Sequence, residues 1–201
     1  MKYYSIILAL CLLPQIMFSQ DSKDINLLTT EDSWRKEAFA FPVPFAPEID
    51  LQGLADVRFT KGWSDAESPH FWSYAFAWYL TDGKKLSEHD LESYLQKYFD
   101  GLMKVVNKDK TKELPLTNAL ITKMNIAKDQ NDYNGKIKFY DAFFTQEMLT
   151  LYIKAQYKYC TEHNRNIYFF KLSPRSFDDD IWLHIDKTGL RGDLCTKKLD
   201  E

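Results

Sequence analysis

The polar and apolar pattern is sharpest over residues 70–80, His-Phe-Trp-Ser-Tyr-Ala-Phe-Ala-Trp-Tyr-Leu. At the two-residue period of a strand, Trp72, Tyr74, Phe76, Trp78 and Leu80 share one face, while Phe71, Ser73, Ala75, Ala77 and Tyr79 share the other. One face is bulky, the other nearly flat, and neither is polar, which predicts a strand central in its sheet and covered on both sides. A neighbouring strand is expected over residues 54–63, joined to the first by a loop containing Gly, Ser and Pro. From Ser87 the period changes to three and four. Leu91, Leu95, Phe99 and Met103, flanked by Tyr94, Tyr98, Leu102 and Val106, make one apolar stripe over about five helical turns. Ser87 and Asp90 form a variant of the capping box, and Lys104, Lys108 and Lys110 sit near the negative end of the helix dipole. The expected packing sets this stripe on the flat face, large side chains against Ser73, Ala75 and Ala77.

After Pro115 the pattern is strand-like throughout. Leu120, Thr122, Met124 and Ile126 alternate with more polar neighbours. Ile137, Phe139, Asp141 and Phe143 follow across a turn expected at Asn134-Gly135. Residues 149–159 alternate almost without exception, and residues 167–172 supply a fourth strand, so a four-stranded antiparallel meander is predicted. Ser176 and Asp178-Asp179-Asp180 open a terminal helix expected to run to about Lys187 and stop at Gly189. At the other end, residues 34–40 read as a short helical turn. Phe41-Pro42-Val43-Pro44-Phe45-Ala46-Pro47 then cannot stay helical; it reads as an extended strap burying Phe41, Val43 and Phe45, with an exposed proline-rich ligand for another protein as the alternative. The order ββαββββα gives an α+β domain with a single, mostly antiparallel sheet of about six strands, one long helix on one face and a short C-terminal helix.

The first twenty residues change the compartment. Lys2 precedes an apolar run from Ile6 to Phe18, about 13 residues or roughly 20 Å of helix against a hydrocarbon core of about 30 Å, so the segment reads as a cleavable export signal and not a span. Cys11 follows Leu10 where a lipidated cysteine wants a small neighbour, which argues against an acyl anchor. The expected organisation is a signal peptide over 1–20, a flexible leader over 21–33 and one α+β domain over 34–201, exported to the periplasm or the medium, with no membrane span in the mature chain. The net charge of −3 over 201 residues does not recommend nucleic acid as a partner. An aromatic content of 15%, with seven Gly and seven Pro, argues against disorder.

Candidate chemistry is sparse. There is no G-x-S-x-G elbow and no phosphate-cradling glycine loop. Asp65, Glu67 and His70 could converge in the loop between the first two strands as a metal or acid/base site, although Pro69 prevents a shared helical face. Asp178, Asp179 and Asp180 with His184 and Asp186 invite a cation, but the helix dipole already accounts for acids there. The acidic run 129–135 has its glycine one position late for a calcium loop. Asp141 falls in an apolar phase and needs a partner if buried, with Arg58 or Lys171 as candidates. Cys160 and Cys195 can form a disulfide or remain as two buried thiols; with His163 and His184 they make only a partial zinc set. The row Trp72, Tyr74, Phe76 and Trp78 is either core or the wall of a groove suited to an apolar ligand, a sugar ring or a peptide.

The Trp- and Phe-Pro-rich opening, Gly62-Trp63, His70-Phe71-Trp72-Ser73-Tyr74 and Tyr140-Asp141-Ala142-Phe143-Phe144 are similar to uncharacterised exported proteins of Bacteroidota-type bacteria. That resemblance implies export and carries no activity. The sequence is therefore read as a non-catalytic ligand- or protein-binding module, without cofactor or metal, using Trp72, Tyr74, Phe76 and Trp78 with His70 beside them. An envelope hydrolase or metal-dependent enzyme built on Asp65, Glu67 and His70 is the alternative, and a structural subunit that pairs a sheet edge with another chain is a third reading.

Overall fold

The computed structural model describes residues 25–81, 84–124 and 132–197. The segment read as a signal peptide and the first part of the leader lie outside them. The described residues form an α+β fold with two sheets, not one. A two-stranded sheet pairs β1 (Leu28–Thr29) with β9 (Gly189–Leu190). The large sheet has seven antiparallel strands, β2 (Arg35–Phe41), β3 (Gly53–Phe59), β4 (Tyr74–Leu80), β5 (Asn118–Lys123), β6 (Tyr133–Tyr140), β7 (Met148–Cys160) and β8 (Arg165–Ser173), in the order β2-β3-β4-β8-β7-β6-β5. It is two meanders joined where β4 meets β8, and all seven residues of β4 are buried.

The extra strand is β2, where a helical turn was expected. Every residue from Arg35 to Phe41 pairs with β3, and Phe39 and Phe41 present rings at the strand period. Pairing along a buried neighbour satisfies the backbone groups of a segment too short to hold a helix by itself. The expected turn at Asn134-Gly135 is also displaced. Both residues lie inside β6, opposite Thr122 and Ile121, and the amide of Met124 reaches the carbonyl of Asp132 at 2.8 Å. Gly135 is there for closeness: a Cβ would lie 2.4 Å from the Leu120 carbonyl oxygen.

Helix α1 (Glu88–Val106) begins with the full capping box of Ser87 and Asp90 and buries Leu91, Leu95, Phe99 and Met103. It covers the bulky face of the sheet, not the flat one. Phe99 meets Phe139 with ring centroids 4.7 Å apart, and the helix stripe shares one core with Tyr74, Phe76, Trp78 and Phe170. Glu92 and Asp100 of α1 accept the backbone N–H of Ile121 and Thr117 at 2.8 and 2.7 Å, which ties the helix over β5. The aromatic face has more apolar area to remove from water, so the longest apolar cover goes there. The flat face, being small, admits irregular chain at close range: Ala75, Ala77 and Tyr79 pack against Leu27, Leu28, Trp34 and the short α2 (Ile181–Ile185). Gly189 starts β9 and is not a helix stop.

The proline strap crosses the α1 side and buries Phe41, Val43, Ala46, Ile49 and Leu51; its Phe41–Pro42 bond is cis. Gly101 permits the crossing, since a Cβ at that point of α1 would lie 2.1 Å from the Phe45 carbonyl oxygen. Cys160 and Cys195 are joined as a disulfide with Cα atoms 4.9 Å apart, fastening the chain after β9 to the end of β7.

Candidate functional site

The aromatic row does not vanish under α1. Along β4, Tyr74, Phe76 and Trp78 run as a file of rings 6.1 and 5.6 Å apart, and Phe76 stacks on Phe170 of β8 at 4.6 Å. Just before β4 the strand ladder breaks. Trp72 has φ +49°, a left-handed conformation that costs a bulky residue of order 1–3 kcal/mol, and its N–H is held by the Trp63 carbonyl at 2.8 Å. Its ring stays on the aromatic side, 5.1 Å from Phe139 and 6.0 Å from Trp63.

Between this face and α1 lies a cleft of about 420 Å³. Val57, Phe59, Tyr74, Phe76 and Trp78 come from the sheet; Tyr98, Phe99 and Leu102 come from the helix; Phe45 closes from the strap. Twelve of the seventeen residues that line it are aromatic, and the only charged ones are Arg35 and Glu37, exposed on β2 and paired with each other. Trp63, Phe143 and Phe144 also line it. Trp63 lies 4.3 Å from Phe59 and 5.3 Å from Phe144, ring to ring.

Asp141 sets the segment of Phe143 and Phe144. It is fully buried, and its carboxylate accepts the N–H groups of Phe143, Phe144 and Thr145 at 3.0 to 3.2 Å and the Thr145 hydroxyl at 2.9 Å. The expected partners, Arg58 and Lys171, are engaged elsewhere on the flat side, with Asp56 and Asp186 respectively. A charge-assisted loop anchor replaces the expected ion pair because the backbone donors two to four residues ahead are nearer than any cation.

Tyr74 and Tyr98 bring the phenols of the cleft. Burial pushes the phenol of Tyr74 well above its ordinary range, with the neighbouring Tyr98 adding to the effect, and burial followed by the charge of Glu37 does the same to Tyr98. Both therefore keep their protons. The indole Nε1 of Trp72 is buried and has no hydrogen-bond partner among the described residues.

His70 is not part of this site. Because the left-handed turn at Trp72 interrupts the strand alternation, His70 falls on the other side, 4.9 Å from the His184 ring, which in turn stacks on Trp34 at 5.5 Å. Burial lowers the His70 pKa, the adjacent His184 lowers it further, and Glu31 opposes both. Nor do Asp65 and Glu67 join it: both are exposed, and the Asp65 carboxylate caps the Glu67 N–H at 3.0 Å. Asp186 accepts from Lys154 and Lys171 at 2.9 and 3.0 Å; burial raises its pKa, and the two lysine hydrogen bonds outweigh it, leaving the carboxyl below its usual range. No group of three or more His, Cys, Asp or Glu suited to a metal occurs among the described residues. A larger depression of about 950 Å³ beside the strap is lined by lysines and acids of both signs and offers no single chemistry.

Among the described residues no helix is long and apolar enough to cross a membrane. Comparison with protein-family models, with curated proteins and with solved structures finds no match.

Proposed function

We propose that the protein is an exported, non-catalytic binding module whose aromatic cleft takes a small apolar ligand. The observation that carries this reading is an open volume of about 420 Å³ walled by rings, with no convergent acids or bases. That volume falls in the range of roughly 300–1,000 Å³ typical of small-molecule sites. Rings left facing a cavity forgo dispersion contacts that an apolar guest would restore. Of the ligand classes the sequence left open, a sugar fits worst: its several hydroxyls would each lose water and find few partners here. A peptide brings backbone groups with the same cost.

The neutral probe N-phenyl-1-naphthylamine tests the proposal. It is expected to bind one per chain, saturably, with energy transfer from the tryptophans. Leu102→Trp, which sets an indole into the cleft from a half-exposed helix position, should abolish the signal while the thermal midpoint stays within a few degrees of wild type. Absence of saturable binding, or equal binding by the variant, would contradict it.

A further inference from the structure

The flat face of the large sheet is covered over only part of its width. Directly opposed residues of a ladder share a face, so Leu120, Lys136 and Tyr152 form one row across β5, β6 and β7, with Asn118, Lys138 and Thr150 in the row beside it. Both rows lie on the flat face, since Tyr152 packs against the core that α2 closes over Ala75, Ala77 and Phe169. On β5 and β6 the row is bare: Leu120, Lys136 and Lys138 are exposed, with no layer above them among the described residues. Beyond Tyr152 the surface steps up. Phe177 sets its ring 5.2 Å from Tyr152 and 5.3 Å from Trp182. The chain then turns through exposed Asp178, Asp179 and Asp180 into α2, where Leu183 faces away from the buried Ile181, Trp182 and Ile185.

The two levels of this step carry opposite charge. Lys154 and Lys171 share Asp186, but Lys136 and Lys138 form no ion pair among the described residues, and the Lys136 ammonium rests over the Tyr152 ring at 4.6 Å. On the raised level Asp178 accepts the Ser176 hydroxyl and Asp179 accepts the Ile181 N–H at 2.9 Å. None of the three aspartates meets a cation among the described residues, and Arg175 is the only cation between Ser173 and Leu183. From β5 towards α2 the order is therefore apolar, basic, aromatic, aromatic, acidic, apolar. Its apolar ends, Leu120 and Leu183, are 60% and 70% exposed. A twofold axis between Tyr152 and Phe177 sets each group on its complement: leucine on leucine, ring on ring, lysines on aspartates, and the raised level of one copy on the low level of the other. An isologous interface demands this self-complementarity. A partner of single charge gains less, because an anionic surface would meet the aspartates and a cationic one the lysines.

We infer that two copies of this chain associate through this stepped face about a twofold axis. Sedimentation equilibrium should show a reversible monomer–dimer equilibrium that loosens several-fold between about 0.05 and 0.5 M salt. Lys136→Glu/Lys138→Glu and Asp178→Lys/Asp180→Lys should each weaken dimerisation by about tenfold or more, since like charges then meet in both halves of the interface. Asp179 is left in place because it caps Ile181. Mixed in equal amounts, the two variants should regain wild-type association: in the mixed dimer each reversed site faces the other, and each native site faces a native one. Leu120→Ser, which changes no charge, should weaken the dimer several-fold with its thermal midpoint within a few degrees of wild type. A wild type that stays monomeric up to about 1 mM would overturn the inference. So would a dimer indifferent to salt and to both reversals, or a mixture no more associated than its components. The aromatic cleft lies on the other face of the sheet, so the two readings fail separately: loss of the dimer leaves N-phenyl-1-naphthylamine binding intact, and absence of dye binding leaves the dimer in place.

Discussion

Asp56 is the polar keystone of the flat face, and its removal should be among the costliest single changes in the molecule. The side chain is fully buried on β3. Its carboxylate accepts from Arg58 Nε and Nη2 at 2.7 and 2.9 Å, and from the backbone N–H groups of Leu27 and Leu28 at 2.7 and 3.2 Å. Asp56→Ala leaves the Arg58 guanidinium, itself 8% exposed, with Asn26 Oδ1 at 2.6 Å, and strands the amides of Leu27 and Leu28. Breaking a buried ion pair by removing one partner costs about 3–5 kcal/mol, and each stranded amide adds about 1–3 kcal/mol before water relieves it. Taking the ion pair as the main loss, we expect a cost of about 4 kcal/mol, a large part of the 5–15 kcal/mol typical of a domain. Urea unfolding at pH 7 measures it. Hydrogen exchange should show Leu27 and Leu28 losing protection before β4 does. Asp56→Ala/Arg58→Met should be more stable than Asp56→Ala alone, because the penalty is mainly an unpaired charge. A loss below about 1 kcal/mol, or a double variant as unstable as the sum of its parts, would refute this reasoning.

Three further outcomes follow from the fold. Reducing the Cys160–Cys195 bond, which spans 35 residues, should lower stability by about 3–4 kcal/mol on loop entropy, read as a shift of the urea midpoint with and without reductant. The folded state depresses the His70 pKa, so it binds fewer protons there than the unfolded chain; stability from this site is whole above pH of about 6.5 and falls as pH drops below it, and His70→Gln should flatten the thermal midpoint between pH 7.5 and 5. Gly101→Ala gains about 1 kcal/mol in helix propensity, yet its Cβ would lie 2.1 Å from the Phe45 carbonyl, so calorimetry should show a net loss of about 1–2 kcal/mol as the strap is forced off α1.

The periodic parts of this fold were legible in the sequence and the choices between faces were not. The strand period of 74–80, the helix stripe from Leu91 to Met103 and the four-strand meander all stand as read, since each is fixed by side-chain spacing alone. Which face α1 covers is decided by competition between the helix, the strap and the chain termini for apolar area, and local spacing carries no term for that. Strand β2 was hidden because Arg35-Lys36-Glu37-Ala38 suits a helix as well as a sheet edge. The candidate site was half legible. Tyr74, Phe76 and Trp78 follow from alternation, but the placing of His70 beside them assumed that the strand period continues through Trp72, and a left-handed residue ends it. Trp63, Phe143 and Phe144 were missed as wall residues. The signal available for the last two was Asp141 followed by Phe143, Phe144 and Thr145, a carboxylate placed to cap the backbone just ahead of it.

The most direct measurement is a methyl-resolved NMR titration of the folded protein with N-phenyl-1-naphthylamine. Val57 and Leu102 line the cleft, while Leu28, Ile181 and Ile185 pack on the opposite face of the same sheet. The account predicts that the methyl signals of Val57 and Leu102 shift along a single saturating curve while those of Leu28, Ile181 and Ile185 stay in place. Shifts led by the opposite face, or no shift at either, would contradict an open aromatic cleft beneath α1.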